Sequence, residues 1–333
     1  MDPFTHFLLG YLITFGIWGP DQIQYVVAGA LAGGLPDADI VFFPLARRFP
    51  GLRHRGLSHS IVGVTVIAIV GVFAVPPLLG TVLGPSFASG SPVFFFVALE
   101  AGGLSHVLLD SMDHWSIPPF APFSQREYHL DADRIMNLGA MIFTVASYAA
   151  LIYEGGRVPR WMWVGTSWLL LAMVVAYFVV RLTGRWRVGV AVRREGFAWV
   201  VPQANPFEYL FAEERRTDTS LSLRVARYHL LRGYRRAPRS ITIALPSSPS
   251  GPVRDRADAL ARSYGPALEE SWVLRETHRF GEAADGEGGY DVFWYSLEFA
   301  IFGRAAGVVA HVDAATGAVT VRSKWRVPSA GAL

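Results

Sequence analysis

Residues 61–83, IVGVTVIAIVGVFAVPPLLGTVL, form a continuous apolar stretch without a charged side chain. A helix that crosses a bilayer needs about 20 mostly apolar residues, because each residue advances the helix by about 1.5 Å through a core about 30 Å thick. This stretch meets that requirement and predicts a membrane-spanning helix. The whole chain is 52% hydrophobic and only 17% charged, whereas soluble domains carry about 25% charged residues.

Five further apolar segments lie on either side of this stretch. Their limits are Phe4–Trp18, Ile23–Leu35, Val93–Leu109, Leu138–Tyr153 and Trp161–Val180. The first two are short and joined by a Gly-Pro-Asp turn, so they form either two thin spans or one re-entrant hairpin. The pattern predicts an all-α polytopic membrane unit of about six spanning segments over residues 1–183.

Charged residues reach an ordinary soluble density from residue 184 onward, where short segments alternate apolar and polar side chains. The predicted strands are Trp186–Val192, Ala198–Val201, Ser240–Leu245, Tyr290–Phe299, Gly307–Val312 and Ala318–Val321. Arg254–Tyr264 predicts an amphipathic helix. We therefore expect a small α+β soluble domain of unknown role over residues 184–333. Its isolated histidines are predicted to be structural: His229, His278 and His311.

Arginine placement predicts the orientation in the membrane. Basic residues cluster in alternate connections, at 47–55, 126–134 and 181–194, and are scarce in the others. Because cytoplasmic loops carry the excess of basic residues, we expect a multi-pass protein of the inner cell membrane with both termini and the C-terminal domain cytoplasmic. The arginines are spread along the chain and the formal net charge is only +3, so no nucleic-acid partner is predicted.

Histidine and aspartate in the apolar half fall into a few short motifs. These are His6, Leu35-Pro36-Asp37-Ala38-Asp39, His54-Arg55-Gly56-Leu57-Ser58-His59 and Ser105-His106-Val107-Leu108-Leu109-Asp110. An ionisable group inside a spanning segment costs about 2.5–3.5 kcal/mol on insertion scales, so a chain rarely keeps several unless they pair or bind a cation. In the predicted topology all of these motifs meet at the cytoplasmic face.

The residue types indicate which metal such a site would hold. The chain has no cysteine, so the ligands must be imidazole nitrogen and carboxylate oxygen, which suit zinc best, with manganese or iron as alternatives. His106 and Asp110 are four residues apart and share one helix face. Simpler interpretations stay open: His6 as an interfacial histidine, and one of Asp37 and Asp39 as a cap or turn residue.

Other polar residues have plainer explanations. Glu100 falls on a different helix face from His106 and is expected to pack against a partner helix. Residues His129, Asp131 and Asp133 follow a proline-rich stretch and fit a solvated loop. The arginines beside His54 fit ordinary positive-inside residues.

Taken together, the motifs Thr5-His6, Leu-Pro-Asp-x-Asp, His-Arg-Gly-x-Ser-His-Ser and Ser-His-x-x-x-Asp resemble the YdjM-like, LexA-regulated family of inner-membrane metal-dependent hydrolases. The resemblance covers about Met1–Val180. The pattern is similar, more distantly, to the zinc-dependent phospholipases C. That second resemblance implies that the zinc ligands are His6, Asp37, His59, His106 and Asp110.

The sequence therefore predicts a membrane-bound metal-dependent hydrolase acting on a phosphoester of a lipid or lipid-linked substrate. The predicted metal ligands are His6, Asp37, His54, His59, His106 and Asp110. The predicted catalytic residues are Asp39, Asp110 and Arg55, with Arg53 or Arg55 as a phosphate clamp. The alternative is a non-enzymatic membrane protein, a metal carrier or a scaffold, whose metal site is structural.

Overall fold

The computed structural model describes most of the apolar half of the chain and parts of the remainder. The described residues are 2–42, 55–113, 116–133, 138–195, 199–203, 205–216, 220–234, 239–244, 277–284, 289–296, 307–313 and 318–324. The chain forms two compact units. One comprises Met1–Trp186 with Pro202–Phe207, and the other comprises Arg187–Val201 with Glu208–Leu333.

Six α-helices occupy the described part of the first half, one at each predicted apolar segment. They are α1 (Pro3–Trp18), α2 (Ile23–Gly34), α3 (Ile61–Leu83), α4 (Pro92–Met112), α5 (Leu138–Glu154) and α6 (Arg160–Glu195). Short 3₁₀ segments lie at Pro20–Gln22, Leu35–Phe42, Leu57–His59 and Pro85–Ala88. The helical character of all six apolar segments is confirmed.

Three of these helices are long and apolar enough to cross a membrane. They cover Ile61–Leu83, Pro92–Met112 and Arg160–Ala191. Pro3–Trp18 and Gly139–Glu154 are apolar but shorter. The count of six spans and the cytoplasmic orientation stay predictions.

Local sequence explains where the helices begin. Asp2 caps α1, since its carboxylate accepts hydrogen bonds from the backbone N–H of Thr5 at 3.0 Å and from its hydroxyl at 2.8 Å. Ser60 caps α3 in the same way, because its hydroxyl oxygen accepts from the backbone N–H of Gly63 at 3.0 Å. These caps fix the helix ends beside which the polar motifs lie.

Glycines allow α2 to approach its neighbours closely. A Cβ on Gly102 of α4 would lie 2.1 Å from the carbonyl oxygen of Gly29, and a Cβ on Gly33 would lie 2.3 Å from that of His6. No side chain fits at either contact. The backbones of α1, α2 and α4 are therefore held together near the polar motifs, and an apolar core that includes Phe95 and Leu99 packs on one side of this contact.

The second unit contains antiparallel strands. They are β1 (Trp199–Pro202), β2 (Glu208–Arg216), β3 (Ser220–His229), β4 (Gly233–Tyr234), β5 (Arg239–Ala244), β6 (Thr277–Ala284), β7 (Gly289–Ser296), β8 (Gly307–Asp313) and β9 (Val319–Lys324). One sheet has the order β1-β2-β3-β4 with β5 also paired to β3, and the other has the order β6-β7-β8-β9. Val200 and Tyr209 belong to the core of this unit.

Five of the six predicted strands coincide with observed strands, and β8 pairs antiparallel with β9. The strand predicted at Trp186–Val192 is wrong, because α6 continues through it to Glu195. An alternating pattern of seven residues is a weak strand signal. The preceding helix contains no proline that would end it, so the helical conformation continues through this segment. Strands β2, β3, β4 and β6 were not predicted, and Arg254–Tyr264 lies outside the described residues.

Candidate metal centre

The centre forms where several helix ends meet. Asp37 lies in the 3₁₀ segment directly after α2, and His59 lies just before α3 begins at Ile61. His106 and Asp110 are in the last two turns of α4, which ends at Met112. One ligand atom from each of these four residues lies within 4.8 Å of the others, so the convergence predicted for these four residues is confirmed.

The four ligand atoms alternate between nitrogen and oxygen. The Nε2 atom of His59 lies 3.4 Å from Oδ1 of Asp37 and 3.4 Å from Oδ2 of Asp110. The Nε2 atom of His106 lies 3.7 Å from each of the same two oxygens. The contact between His59 and Asp37 is a long hydrogen bond. The two separations from His59 lie within the roughly 3.3–3.6 Å expected between ligands that bind one tetrahedral ion at about 2.0–2.2 Å, and those from His106 are slightly longer.

His106 is held in the tautomer that a metal ligand needs. Its Nδ1 atom lies 2.7 Å from the carbonyl oxygen of Gly33, which can only accept, so the proton resides on Nδ1. The lone pair of Nε2 then faces the two carboxylates. This nitrogen is buried and has no hydrogen-bond partner among the described residues. A buried, oriented, unpaired imidazole nitrogen is the arrangement expected of a metal ligand.

His59 is oriented by groups on its other side. Its Nδ1 atom lies 3.0 Å from Oγ of Ser58 and 3.4 Å from Oδ2 of Asp39, and Ser58 donates a short hydrogen bond to Asp39. Burial alone would lower the pKa of His59, but hydrogen bonds to Asp37 and Asp39 and the charge of Asp110 outweigh it and raise that pKa to about 9. Without a metal, both ring nitrogens of His59 therefore carry a proton at neutral pH, and the side chain is positively charged.

Asp37 is the member of the cluster that reaches solvent. Its side chain is 22% exposed, whereas those of His59, His106 and Asp110 are at most 1% exposed. Burial alone would raise the pKa of Asp37, but its hydrogen bond to His59 and the neighbouring histidines hold the pKa well below its usual range. This carboxylate is thus ionised and lies on the accessible side of the centre.

His6 joins the cluster from its edge. Its ring stacks on His106 with 4.0 Å between ring centroids, and its Nε2 atom lies 3.3 Å from Oδ1 of Asp110. His6 therefore faces the second oxygen of Asp110 and not the oxygen shared by His59 and His106. Its role as a ligand stays a prediction.

Arg55 neutralises part of the negative charge. Its guanidinium donates to Oδ1 of Asp110 at 3.4 Å and to Oδ2 of Asp113 at 3.1 Å. Arg55 is only 5% exposed and adopts φ +60°, a strained backbone conformation for a residue with a side chain. Burial would lower its pKa, but the two carboxylates raise it. The arginine is therefore engaged with both carboxylates through one nitrogen of its guanidinium.

A separate ionic cluster fastens the loop after α4. Arg181 donates to Asp133 at 2.9 Å, and Tyr177 donates to the same carboxylate at 2.7 Å. Arg185 donates to Asp131 at 2.9 Å, and His129 contacts the other oxygen of Asp131 at 2.7 Å. The solvated-loop interpretation is wrong for the two aspartates, because both are buried and pair with arginines of α6, Asp133 with the buried Arg181 and Asp131 with the partly exposed Arg185. They are not part of the metal cluster.

The remaining predicted residues have these positions. Asp39 contacts the far nitrogen of His59, so it orients a ligand and does not face the shared centre. His54, together with Arg53 and His114, lies outside the described residues. Glu100 accepts a hydrogen bond from Thr65 of α3 at 2.9 Å, away from the cluster, as expected from its helix face.

Sequence reasoning gave no role to Ser58, Asp113 or Gly33. Asp113 follows Asp110 by three residues, a spacing that places both on one helix side and that would have linked them. Ser58 adjoins a predicted ligand. The Gly33 carbonyl offers no side-chain signal, since its contact with His106 depends on how α2 and α4 pack.

Comparisons with known proteins address the apolar half. Searches of curated proteins and of solved structures find no significant match, so the distant resemblance to zinc-dependent phospholipases C stays an expectation. One protein-family model, described as YdjM inner membrane protein, matches residues 1–188, which include all the helix ends that form the centre. By this match over more than half of its length, the chain belongs to the YdjM inner membrane protein family.

Proposed function

We propose that this protein is a metal-dependent hydrolase of the inner membrane that cleaves a phosphoester of a lipid or lipid-linked substrate. The observation that carries the proposal is the cluster of two imidazole nitrogens and two carboxylate oxygens formed by Asp37, His59, His106 and Asp110. Three of these residues are buried, and Asp37 is partly exposed. A divalent ion there would polarise a phosphoryl oxygen and make water acidic enough to attack near neutral pH. Zinc suits this donor set best.

The chain's own residues would have distinct tasks. Gly33 and Asp39 hold the imidazoles of His106 and His59 in fixed tautomers and orientations. Arg55 forms an ion pair with Asp110 and holds it in place. Asp37, on the exposed side, is the ligand best placed to yield space to a substrate oxygen.

The location of the centre supports a lipid substrate. The ligands lie at the ends of helices, two of which, α3 and α4, are long and apolar enough to cross a membrane. A site at such ends lies near the bilayer surface, where phosphate head groups reside. An ion carrier would instead have its ionisable ligands near the bilayer midplane.

One observation favours the scaffold alternative. Structural zinc sites use four protein ligands, whereas catalytic sites keep one position open, and here four protein ligands converge. The exposure of Asp37 argues for catalysis, because the other three ligands resemble a three-ligand catalytic set and the fourth side remains accessible.

The test uses the full chain purified in lipid nanodiscs. We expect one metal-binding centre per chain, loss of metal from His106→Ala, and release of phosphate or head group from a bacterial lipid extract with zinc or manganese. Asp110→Asn should abolish this release. Asp21→Asn is the matched control, because Asp21 is an exposed partner of Arg160 that precedes α2, whereas Asp37 follows the opposite end of that helix.

Two results would decide against catalysis. The first is stoichiometric metal binding without hydrolysis of any lipid in the extract. The second is a melting temperature that, in the presence of metal, is much lower for Asp110→Asn than for wild type. In a structural site the metal-binding free energy becomes folding free energy, so loss of the metal lowers stability.

A further inference from the structure

A groove lies beside the metal centre, between the 3₁₀ segment Leu35–Phe42 and the first turns of α3. Its volume is about 380 Å³, within the range of roughly 300–1,000 Å³ that ligand pockets occupy. Most of its lining is apolar, including Leu35, Ala38, Val62, Val66 and Ile67. The shape and chemistry of the lining favour an apolar occupant.

The polar side chains among the lining residues are Asp39 and Ser58. Ser58 donates a hydrogen bond to Asp39, and both contact Nδ1 of His59. The opposite nitrogen of His59 faces the shared centre. The polar side of the groove is therefore separated from the metal cluster by a single imidazole ring.

The apolar side of the groove belongs to a helix that fits a membrane span. Val66 is 53% exposed on α3, and α3 is 23 residues long with a mean hydropathy of 2.5 in its most apolar window. In a bilayer these exposed side chains meet hydrocarbon. A groove on such a surface can be entered sideways from the membrane, without passage through water.

We propose that this groove seats one hydrocarbon chain of the substrate, which enters laterally from the bilayer, while its phosphate reaches the metal centre on the accessible side at Asp37, in the same 3₁₀ segment whose residues line the groove. The inference rests on the proposed function for the identity of the reacting group. The occupant is a chain of an amphiphilic phosphoester, because the groove is apolar along α3 and polar only next to the centre.

The test exploits the absence of cysteine from the chain. Val66→Cys places the sole thiol in the groove, and Val70→Cys places it one turn further along α3, at a position 60% exposed that does not line the groove. Each variant, as the full metal-loaded chain in nanodiscs, reacts with N-ethylmaleimide in the presence of dodecyl phosphate or of inorganic phosphate.

We expect dodecyl phosphate at about nine times its Kd to slow labelling of Val66→Cys about tenfold, since the free fraction falls as 1/(1 + [L]/Kd). Inorganic phosphate should not slow it, and Val70→Cys should react equally in all conditions. Equal slowing at both positions would show partition into the bilayer only, and no slowing at Val66→Cys would show an empty groove. Either result overturns the inference. So does an interchain disulfide through Val66→Cys, which would show that a second copy covers the groove.

A second variant connects the groove to turnover. Val66→Trp fills the groove and should reduce hydrolysis of the lipid phosphoester at least about tenfold, while hydrolysis of soluble bis-p-nitrophenyl phosphate persists. Val70→Trp should retain both activities. If wild type hydrolyses neither compound, the proposed function fails, whereas the thiol-protection result still decides whether the groove holds a chain.

Discussion

His106 donates a hydrogen bond from Nδ1 to the carbonyl oxygen of Gly33 at 2.7 Å, although the two residues are 73 positions apart. The contact joins α4 to α2 and directs the opposite nitrogen of His106 toward the carboxylates. It depends on the close packing of α2 against α1, where Gly33 faces the backbone of His6.

Gly33→Ala tests this dependence. The new methyl group would lie 2.3 Å from the carbonyl oxygen of His6, so α2 must shift and the hydrogen bond to His106 must lengthen. We expect metal affinity to fall about 10–100-fold, the usual effect of losing a group that orients a ligand. Gly165→Ala is the control, since a Cβ there meets no atom within 4 Å. Metal titration of both variants is the measurement, and equal affinities would contradict the proposed role of Gly33.

The raised pKa of His59 predicts a pH dependence. In the metal-free protein this histidine is protonated below about pH 9, so metal must displace a proton. We expect about one proton released per ion bound at neutral pH and an affinity that falls up to tenfold per unit of decreasing pH. Titration calorimetry in buffers of different ionisation enthalpy measures the release. Binding at pH 7 without proton release would contradict this assignment.

The same shift affects the stability of the metal-free fold. Because the folded pKa of about 9 exceeds the unfolded value of 6.5, the protonated His59 stabilises the fold fully below pH 6.5. This contribution disappears as pH rises through 9. Melting temperatures of the metal-free protein should therefore decline across that interval, and those of His59→Gln should decline less.

Asp39→Asn tests whether Asp39 orients His59 or takes part in the reaction directly. As an orienting residue, its replacement should weaken metal binding about 10–100-fold and lower the pKa of His59, because one of the hydrogen bonds that raise it is lost. As a general base it would leave metal binding unchanged and reduce kcat alone. Metal titration and steady-state kinetics on one preparation distinguish the two, with Asp21→Asn as the neutral control.

Arg55→Ala should destabilise the protein more than it changes substrate binding. It leaves Asp110 and Asp113 buried without their cation, and breaking a buried pair in this way costs about 3–5 kcal/mol. A bound metal would restore part of this loss, so the fall in melting temperature should be larger for the metal-free protein. An Arg55→Ala protein that melts like wild type and shows only a raised KM would instead favour the phosphate clamp.

Arg181→Met provides an independent measure of the second ionic cluster. Asp133 would then be buried without the guanidinium of Arg181, although Tyr177 still donates to it, and we expect a loss of about 3–5 kcal/mol in the free energy of unfolding. Metal affinity should stay within about threefold of wild type, because Asp133 is not a member of the metal cluster. The double variant Arg181→Met, Asp133→Asn should recover much of the stability, since no buried charge is then unpaired.

The sequence predicted the helices well because their signal is local. A run such as residues 61–83 is apolar over the thickness of a bilayer, which indicates a helix without reference to any other part of the chain. Four of the predicted ligands also converge, since each motif adjoins a helix end and the helices alternate in direction. The prediction worked where apolar length and helix direction were sufficient.

Other features depended on tertiary contacts that no short motif records. Arg55 resembled a free cation in sequence, whereas Asp110 and Asp113 hold it. Asp131 and Asp133 resembled loop residues, whereas two arginines of α6 bury them. The 186–192 segment alternates like a strand, but the helix before it contains no residue that would end it, so α6 continues through the segment. For Arg55 and the two aspartates, the residue that forms the ion pair lies about 50 positions away along the chain, so local pattern alone could not identify it.

The order in which the ligands leave the ribosome has a consequence for biogenesis. Asp37 and His59 emerge well before His106 and Asp110, which belong to α4. The cluster of ligands is therefore incomplete until α4 has been inserted beside α2, and an ion captured earlier would have only half of its ligands. Metal binding thus reports that α4 has packed against α2 and completed the set of ligands.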